Sequence, residues 1–325
     1  MLTRMNWSGS RVLVTGASGV IGTALVRLLV EAGAEVIAAD LKPPSPSTYS
    51  TDQVQHYSLD LSREDLGELL RTEPSVVFHL AATFNRTVEE PGFWQESFTH
   101  NVLLSHRFLK AVEEADFVKT LVFASSYLIY DPSLHLNTST EYQLREEDPI
   151  NPRNIVGVGK YMTERELDFI AATKKDFQVI SARIYRVYGR GSRDVISRWV
   201  RSALVDAPLL VYGEEGRFDY IFADDVAEGL MRLATSSDAH GVVNLGFGKT
   251  RSVAEVIAIL KDIFPELVVK TEPHSGPREW SCANMEHFRS LTHWEPLHTL
   301  EQGIRQIVAY EKELLLPNLN CRVEL

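Results

Sequence analysis

The stretch Thr15-Gly16-Ala17-Ser18-Gly19-Val20-Ile21-Gly22 follows the short β-branched run "RVLVT" and precedes an apolar-periodic segment, residues 23–32, that Gly33 closes. At a strand-to-helix junction this spacing has a specific use. Gly16 permits the tight turn, Gly19 lets a pyrophosphate approach the backbone, and Gly22 lets the helix lie close on the strand, with the anion over the helix N-terminus. Asp40 ends the next strand-like run, 18 residues after Gly22, and Leu41 follows it. A carboxylate there accepts hydrogen bonds from both hydroxyls of an adenosine ribose and repels a 2′-phosphate, which favours NAD over NADP.

Two further groups carry hydroxyl, phenol and amine chemistry. Ser125 and Ser126 close the run "KTLVFASS" and Tyr127 follows them. Such a serine pair is often a helix cap or turn, and Tyr127 adds a phenol beside it. Lys160 lies in a helical pattern whose residue one turn earlier, on the same face, is Val156. Valine cannot donate, accept or ionise. Arg186, Arg217 and Arg278, with Arg190, Arg193 and Arg198 nearby, can each grip a phosphate or carboxylate or else form a surface ion pair.

These residues need a scaffold. After the glycine turn, "AEVIAAD", "VQHYSL", "SVVFHLAA", "KTLVFASS" and "FQVISARIY" read as strands, and "SREDLGELLR", residues 93–115, a segment from Gly157 to about 173 and residues 195–204 read as helices. Near-continuous apolar strands alternating with helices predict an α/β chain with a parallel sheet covered on both faces. The last third mixes shorter strands and helices, which suits a smaller mixed α/β domain at the C-terminus. "LKPPSPSTYSTD" reads as a surface loop, and no internal repeat is present.

Composition excludes several classes of function. The chain has 325 residues, 44% hydrophobic and 24% charged, as a globular protein of one large or two modest domains does. A net charge of -11 argues against nucleic acid as a partner. No run approaches the ~18 apolar residues of a membrane-spanning helix, and the N-terminus lacks a secretory pattern. Two cysteines, Cys282 and Cys321, suit a reducing compartment, so a cytoplasmic location is expected. The ten histidines show no ligand spacing, and no metal site is expected.

The glycine motif, "HLAA" at 79–82 and "SSYLIYD" at 125–131, followed by "RIYRVYG", "FDYIFADDVAEGL" and "HWEPLHTLEQGIRQ", resemble the extended short-chain dehydrogenase/reductases. Within that family the likeness is to the NAD-dependent nucleotide-sugar epimerases and dehydratases, and it covers nearly the whole chain. It implies a Rossmann-type doubly wound parallel sheet in residues 1–180, with interleaved segments from about 215–247, and a mainly substrate-binding domain in residues 181–325. A homodimer through two helices of each subunit is implied as well. The same resemblance assigns Asp60 and Leu61 to the adenine, and Leu80, Ala81 and Ala82 to the cofactor's ribose and pyrophosphate. Asn101 falls behind the sheet, Ser125 near the nicotinamide, and Tyr185 among the cofactor contacts. Thr83, Ser126, Arg186, Arg217 and Arg278 fall to the nucleotide-sugar.

In that family the lysine holds the nicotinamide ribose and lowers the pKa of a tyrosine four residues earlier, which acts as general base. Val156 stands at the tyrosine's place. A disabled enzyme, a substitute base such as Tyr127, or a non-catalytic NAD-binding sensor are the alternatives. Tyr127-Leu128 stand where the family's dehydratases carry Asp-Glu, which favours chemistry at the sugar C4 over 4,6-dehydration. Arg186 replaces a frequent Asn, and Phe218 replaces an Arg displaced to position 217.

Overall fold

The computed structural model describes residues 5–42, 53–84, 91–138, 140–273 and 276–320. Most of the loop expected at 41–52 and Cys321 lie outside the described residues.

The chain runs β1 (Arg11–Thr15), α1 (Val20–Glu31), β2 (Glu35–Asp40), β3 (Val54–Ser58), α2 (Gly67–Leu70), β4 (Val76–His79), α3 (Pro91–Ser97), a π-helical segment (Phe98–Leu103), α4 (Leu104–Glu113) and β5 (Thr120–Ser126). It continues with β6 (Tyr142–Leu144), α5 (Ile155–Thr173), β7 (Gln178–Ile184), β8 (Arg186–Tyr188), α6 (Val195–Leu204), β9 (Leu209–Tyr212), β10 (Arg217–Phe218), β11 (Tyr220–Phe222) and α7 (Ala223–Thr235). The last elements are β12 (Gly241–Leu245), β13 (Arg251–Ser252), α8 (Val253–Ile263), β14 (Val269–Glu272), β15 (Trp280–Ala283), α9 (Glu286–Thr292) and α10 (Leu300–Asn320).

Seven strands form one sheet in the order β12-β7-β5-β4-β1-β2-β3, every pairing parallel. The order reverses between β1 and β4, so their carboxyl ends open a crevice where ligands bind in such sheets. Side chains of β1 alternate between two cores. Val12 and Val14 join Leu25 of α1 and Val226 and Leu230 of α7 on one face, while Leu13 joins Phe108 of α4 and Leu167 of α5 on the other. Burial on both faces is why the strands are apolar throughout rather than alternating. The third core, Tyr188, Ile196, Trp199, Leu260 and Ile304 among others, ties α6, α8 and α10 together. Next to it, β6, β10, β13 and β15 form a mixed four-stranded sheet.

Three local expectations change. "SREDLGELLR" yields only the four-residue α2, because Asp60 gathers the backbone N–H and hydroxyl of Ser62 and the Nε of Arg63 into a polar turn, and Gly67 donates to Asp65 rather than into a helix. Residues 93–115 are helical but not uniformly α. The π-helical segment interrupts them. Finally, the helix carrying Lys160 begins at Ile155, since Asn154 takes an extended conformation and its side chain accepts from the N–H of Gly157 at 2.8 Å. Such a cap is worth about 1 kcal/mol.

Candidate active site

The glycine turn follows directly from β1. Gly16 has φ +72°, and a Cβ there would lie 2.7 Å from the Ala81 nitrogen; one on Gly22 would lie 2.1 Å from the Gly16 oxygen. No side chain caps the first turn of α1, which begins at Val20 and Ile21, and no acidic residue occupies it. Its N–H groups and positive dipole end are therefore open to an anion. Asp40 is tied to the same turn: Oδ2 accepts from Ser18 N–H at 2.9 Å and Oδ1 from Lys42 N–H at 3.0 Å, while the Ser18 hydroxyl donates to the Lys42 carbonyl. Each carboxylate oxygen keeps a lone pair for a ribose hydroxyl. The cradle a Cβ would fill, the open helix start and the acid beside it fit the diphosphate and adenosine ribose of a dinucleotide.

Around this turn, Leu80 and Ala81 donate to the Thr15 carbonyl and hydroxyl, and Leu80 and Ala81 are half-buried while Ala82 is exposed. Leu41 is exposed beside Asp40, and Leu61 is buried beneath Asp60. Burial pulls the Asp60 carboxyl upward, but the bonds from Ser62 and Arg63 win and hold it below the usual range. Asn101, in the π-helical segment, accepts from Thr83 N–H at 2.8 Å and donates to Ser97 at 3.0 Å. The Thr83 hydroxyl donates to Glu96.

The serines and the lysine expected at the reacting end are positioned by β5 and α5. A Cβ on Gly157 would lie 2.8 Å from the Leu128 carbonyl, so the helix start lies directly against the turn after Ser126. Lys160 is buried, donates to the Ala124 carbonyl at 2.6 Å and rests over the Phe123 ring at 4.7 Å. Burial lowers its pKa to about 8 against the opposing pull of Glu164. Val156 is 5% exposed and brings no ionisable group to this face. The Ser126 oxygen accepts from Leu128 N–H at 3.3 Å, leaving its proton free to donate. Ser125 instead donates to Glu164, a buried carboxylate that Arg183 grips through Nε at 3.1 Å and Nη2 at 2.9 Å.

Tyr127 belongs to a different group. Its hydroxyl donates to Oε1 of Glu279 at 2.8 Å, and its ring stacks on Tyr185 at 5.0 Å. Oε2 of Glu279 receives Arg153 at 2.9 Å and Arg186 at 3.2 Å. Burial raises the Glu279 carboxyl, but the two guanidiniums overcome it and hold the pKa at about 2. Burial pushes the Tyr127 phenol above its usual value. Tyr185 is buried and its hydroxyl lacks a partner.

Among the residues expected at the substrate, Arg186 thus joins Tyr127, whereas the others hold separate pairings. Arg217 contacts Thr250 and Glu255, Arg278 pairs with Glu215, and Arg190 shares Asp224 with Arg27. Arg183, Arg153 and Glu279 are structural participants that sequence reasoning passed over, and Glu164, in a charged run at 163–168 that reads as a solvated or dimer-facing helix surface, is buried instead. His79 is another: it bridges Thr15 and Ser105 beneath the cradle, and burial, then the Lys160 charge, lowers its pKa to about 3. No group of three or more His, Cys, Asp or Glu among the described residues could hold a metal, and no helix there is long and apolar enough to cross a membrane.

The chain is similar to known proteins along most of its length. The model of the NAD dependent epimerase/dehydratase family matches residues 12–246. A putative UDP-glucose 4-epimerase of Methanocaldococcus jannaschii is 27% identical, over 93% of this chain and 98% of its own. UDP-glucuronic acid decarboxylase 1 of Xenopus tropicalis is 25% identical, over 94% of this chain and 73% of its own. Among solved structures, MoeE5 in complex with UDP-glucuronic acid and NAD superposes with a TM-score of 0.81 at 29% identity, covering 94% of this chain and all (100%) of that one.

Proposed function

The chain belongs to the NAD dependent epimerase/dehydratase family, and from that premise we propose that it binds NAD and a nucleotide-activated sugar at one site, with redox chemistry at a sugar ring carbon, C4 in the first instance. NAD, when bound, supplies a reversible hydride acceptor. The observation that carries the reading is the pairing of the open glycine cradle and Asp40 with a buried lysine at the end of β5.

The protein's own groups would divide the work as follows. The first turn of α1 holds the diphosphate, Asp40 and Leu41 border the adenosine ribose, and Asp60 and Leu61 border the adenine. Leu80, Ala81 and Ala82 line the middle of the cofactor, with Asn101 bracing Thr83 behind them. Lys160 donates to the nicotinamide ribose while keeping its bond to Ala124. Ser126 orients the reacting hydroxyl with its free proton. What is missing is a base, and position 156 offers none.

Tyr127 is a poor substitute. Its proton is committed to Glu279, and its phenolate is disfavoured by burial. The chain accordingly binds its ligands with little turnover. This observation also favours a second reading, a sensor that takes up NAD and nucleotide-sugar without reacting. Incubating the protein and its Val156→Tyr variant with NAD and UDP-sugars, while following absorbance near 340 nm and product sugars, separates the two. Activity restored by tyrosine identifies a disabled enzyme; ligand uptake without chemistry in either form identifies the sensor. Turnover by the valine form would sink the claim that no base is present.

A homodimer belongs to the same proposal. Phe98 and Leu103 of the π-helical segment and Val158, Met162 and Phe169 of α5 leave large apolar side chains exposed, Phe169 to 75%. Grouped on adjoining helices, they suit a self-complementary interface. A cytoplasmic location is part of this reading and rests on the cysteine usage and the metabolite class.

A further inference from the structure

Two departures from the family pattern meet in space. Arg186 opens β8 where an asparagine is frequent, and Phe218 ends β10 where an arginine is frequent; the Arg186 guanidinium carbon lies 3.7 Å from the centroid of the Phe218 ring. A flat guanidinium over an aromatic face is held in orientation and shielded on one side. Its Nη2 is committed to Glu279, and its buried Nε has no partner.

The surroundings are unbalanced in charge. Arg153 and Arg186 bring two positive charges to the one carboxylate, Glu279, that both contact. That carboxylate is already saturated, since Tyr127 and Ser281 donate to its other oxygen at 2.8 and 2.9 Å. Tyr220 is 6% exposed, its hydroxyl has no partner, and it lies within electrostatic reach of Arg186, Glu279 and Tyr127. Unpaired donors around an uncompensated, partly desolvated cation are costly when empty and complementary to an anion. Position identifies which anion. The cluster is built on Tyr127, the residue after Ser126, and on Arg153, three residues before Val156, with Arg153 N–H donating to the Leu128 carbonyl. It therefore borders the reacting end of the site.

We infer that Arg186, seated on Phe218 and backed by Arg153 and Glu279, is a specificity residue that receives a carboxylate carried by the sugar. The inference rests on the nucleotide-sugar reading above and narrows it to acidic sugars. Calorimetric titration of the full chain in excess NAD with UDP-glucuronate, UDP-glucose and UDP tests it. UDP-glucuronate is expected to bind at least about tenfold more tightly than UDP-glucose, a difference of roughly 1.4 kcal/mol. Arg186→Met should erase that preference, its loss confined to the acidic sugar. Arg186→Lys, which keeps a cation beside Glu279, should retain part of it. Equal affinity for the two sugars in the unmodified protein overturns the inference, as does a parallel loss for all three ligands in both variants, which would place Arg186 on the diphosphate. Failure of all three ligands to bind while NAD still does would instead remove the nucleotide-sugar reading itself, and the acidic-sugar seat with it.

Discussion

Lys160 donates its ammonium to the carbonyl of Ala124 at 2.6 Å, so the amine is anchored to β5 from within the protein before any ligand arrives. Holding a cation there costs stability. Its pKa falls from 10.5 to about 8 through burial, so between those values the unfolded chain binds a proton that the folded chain does not, and stability rises with pH. Below pH 8 both states are protonated and the full cost, roughly 3 kcal/mol at most, is present.

Lys160→Met should therefore raise the unfolding free energy at pH 7 by about 1–3 kcal/mol, the lost Ala124 bond offsetting part of the gain. The advantage should shrink as pH climbs from 8 toward 10.5. Urea unfolding at several pH values measures it. A destabilised variant at neutral pH would contradict the electrostatic cost assigned to this lysine.

Glu164 and Arg183 are 2% and 4% exposed and form a two-point ion pair beneath Ser125. Removing one partner strands a buried charge, so Glu164→Gln should cost about 3–5 kcal/mol. Pairing it with Arg183→Met should recover most of that loss, because the stranded cation is then gone as well. A double variant no more stable than the single one would show that the pair contributes something other than mutual neutralisation.

Gly22→Ala places a methyl 2.1 Å from the Gly16 oxygen, with backbone on every near side. Nothing flexible can yield. NAD affinity should drop, since Gly22 keeps α1 close on the β1 turn and a displaced helix start misplaces the N–H groups that face the phosphates. Gly92→Ala, in α3 with nothing within 4 Å of its Cβ, should leave affinity unchanged and serves as the matched control. Equal effects of the two would mean that crowding at the turn is irrelevant to ligand uptake.

Phe169→Glu puts a charge at the most exposed aromatic of α5. Sedimentation should find the unmodified chain dimeric and this variant shifted to monomer at micromolar concentration. A monomeric parent, or a dimer indifferent to the charge, would locate any self-association elsewhere.

The sheet was legible because its signals are local: Val12, Leu13 and Val14 read as a strand buried on both sides, and the glycine turn announces the helix after it. The family likeness likewise follows from landmarks that stay contiguous in sequence. What escaped was long-range pairing. Arg153 and Glu279 are 126 residues apart, and Glu164 and Arg183 come from a helix and a strand. Each is an ordinary charged residue where it stands, and only the fold turns it into a buried partner. The Asn154 cap, by contrast, carried a local signal, a capping residue before an apolar helical run, that would have moved the helix start to Ile155. The short α2 shows the opposite failure, a polar start attractive enough to read as a helix but used to build a turn around Asp60.

The widened turn at Phe98–Leu103 acts as a one-residue insertion inside an otherwise continuous rod. An added residue offsets the faces on its two sides by about 100°, which lets Asn101 reach Thr83 while Phe108, a few residues on, still points into the sheet. Deleting a single codon in this stretch would restore a regular rod and force a choice between the brace and the core. The register of this segment thus couples the Asn101 brace to the core contact of Phe108.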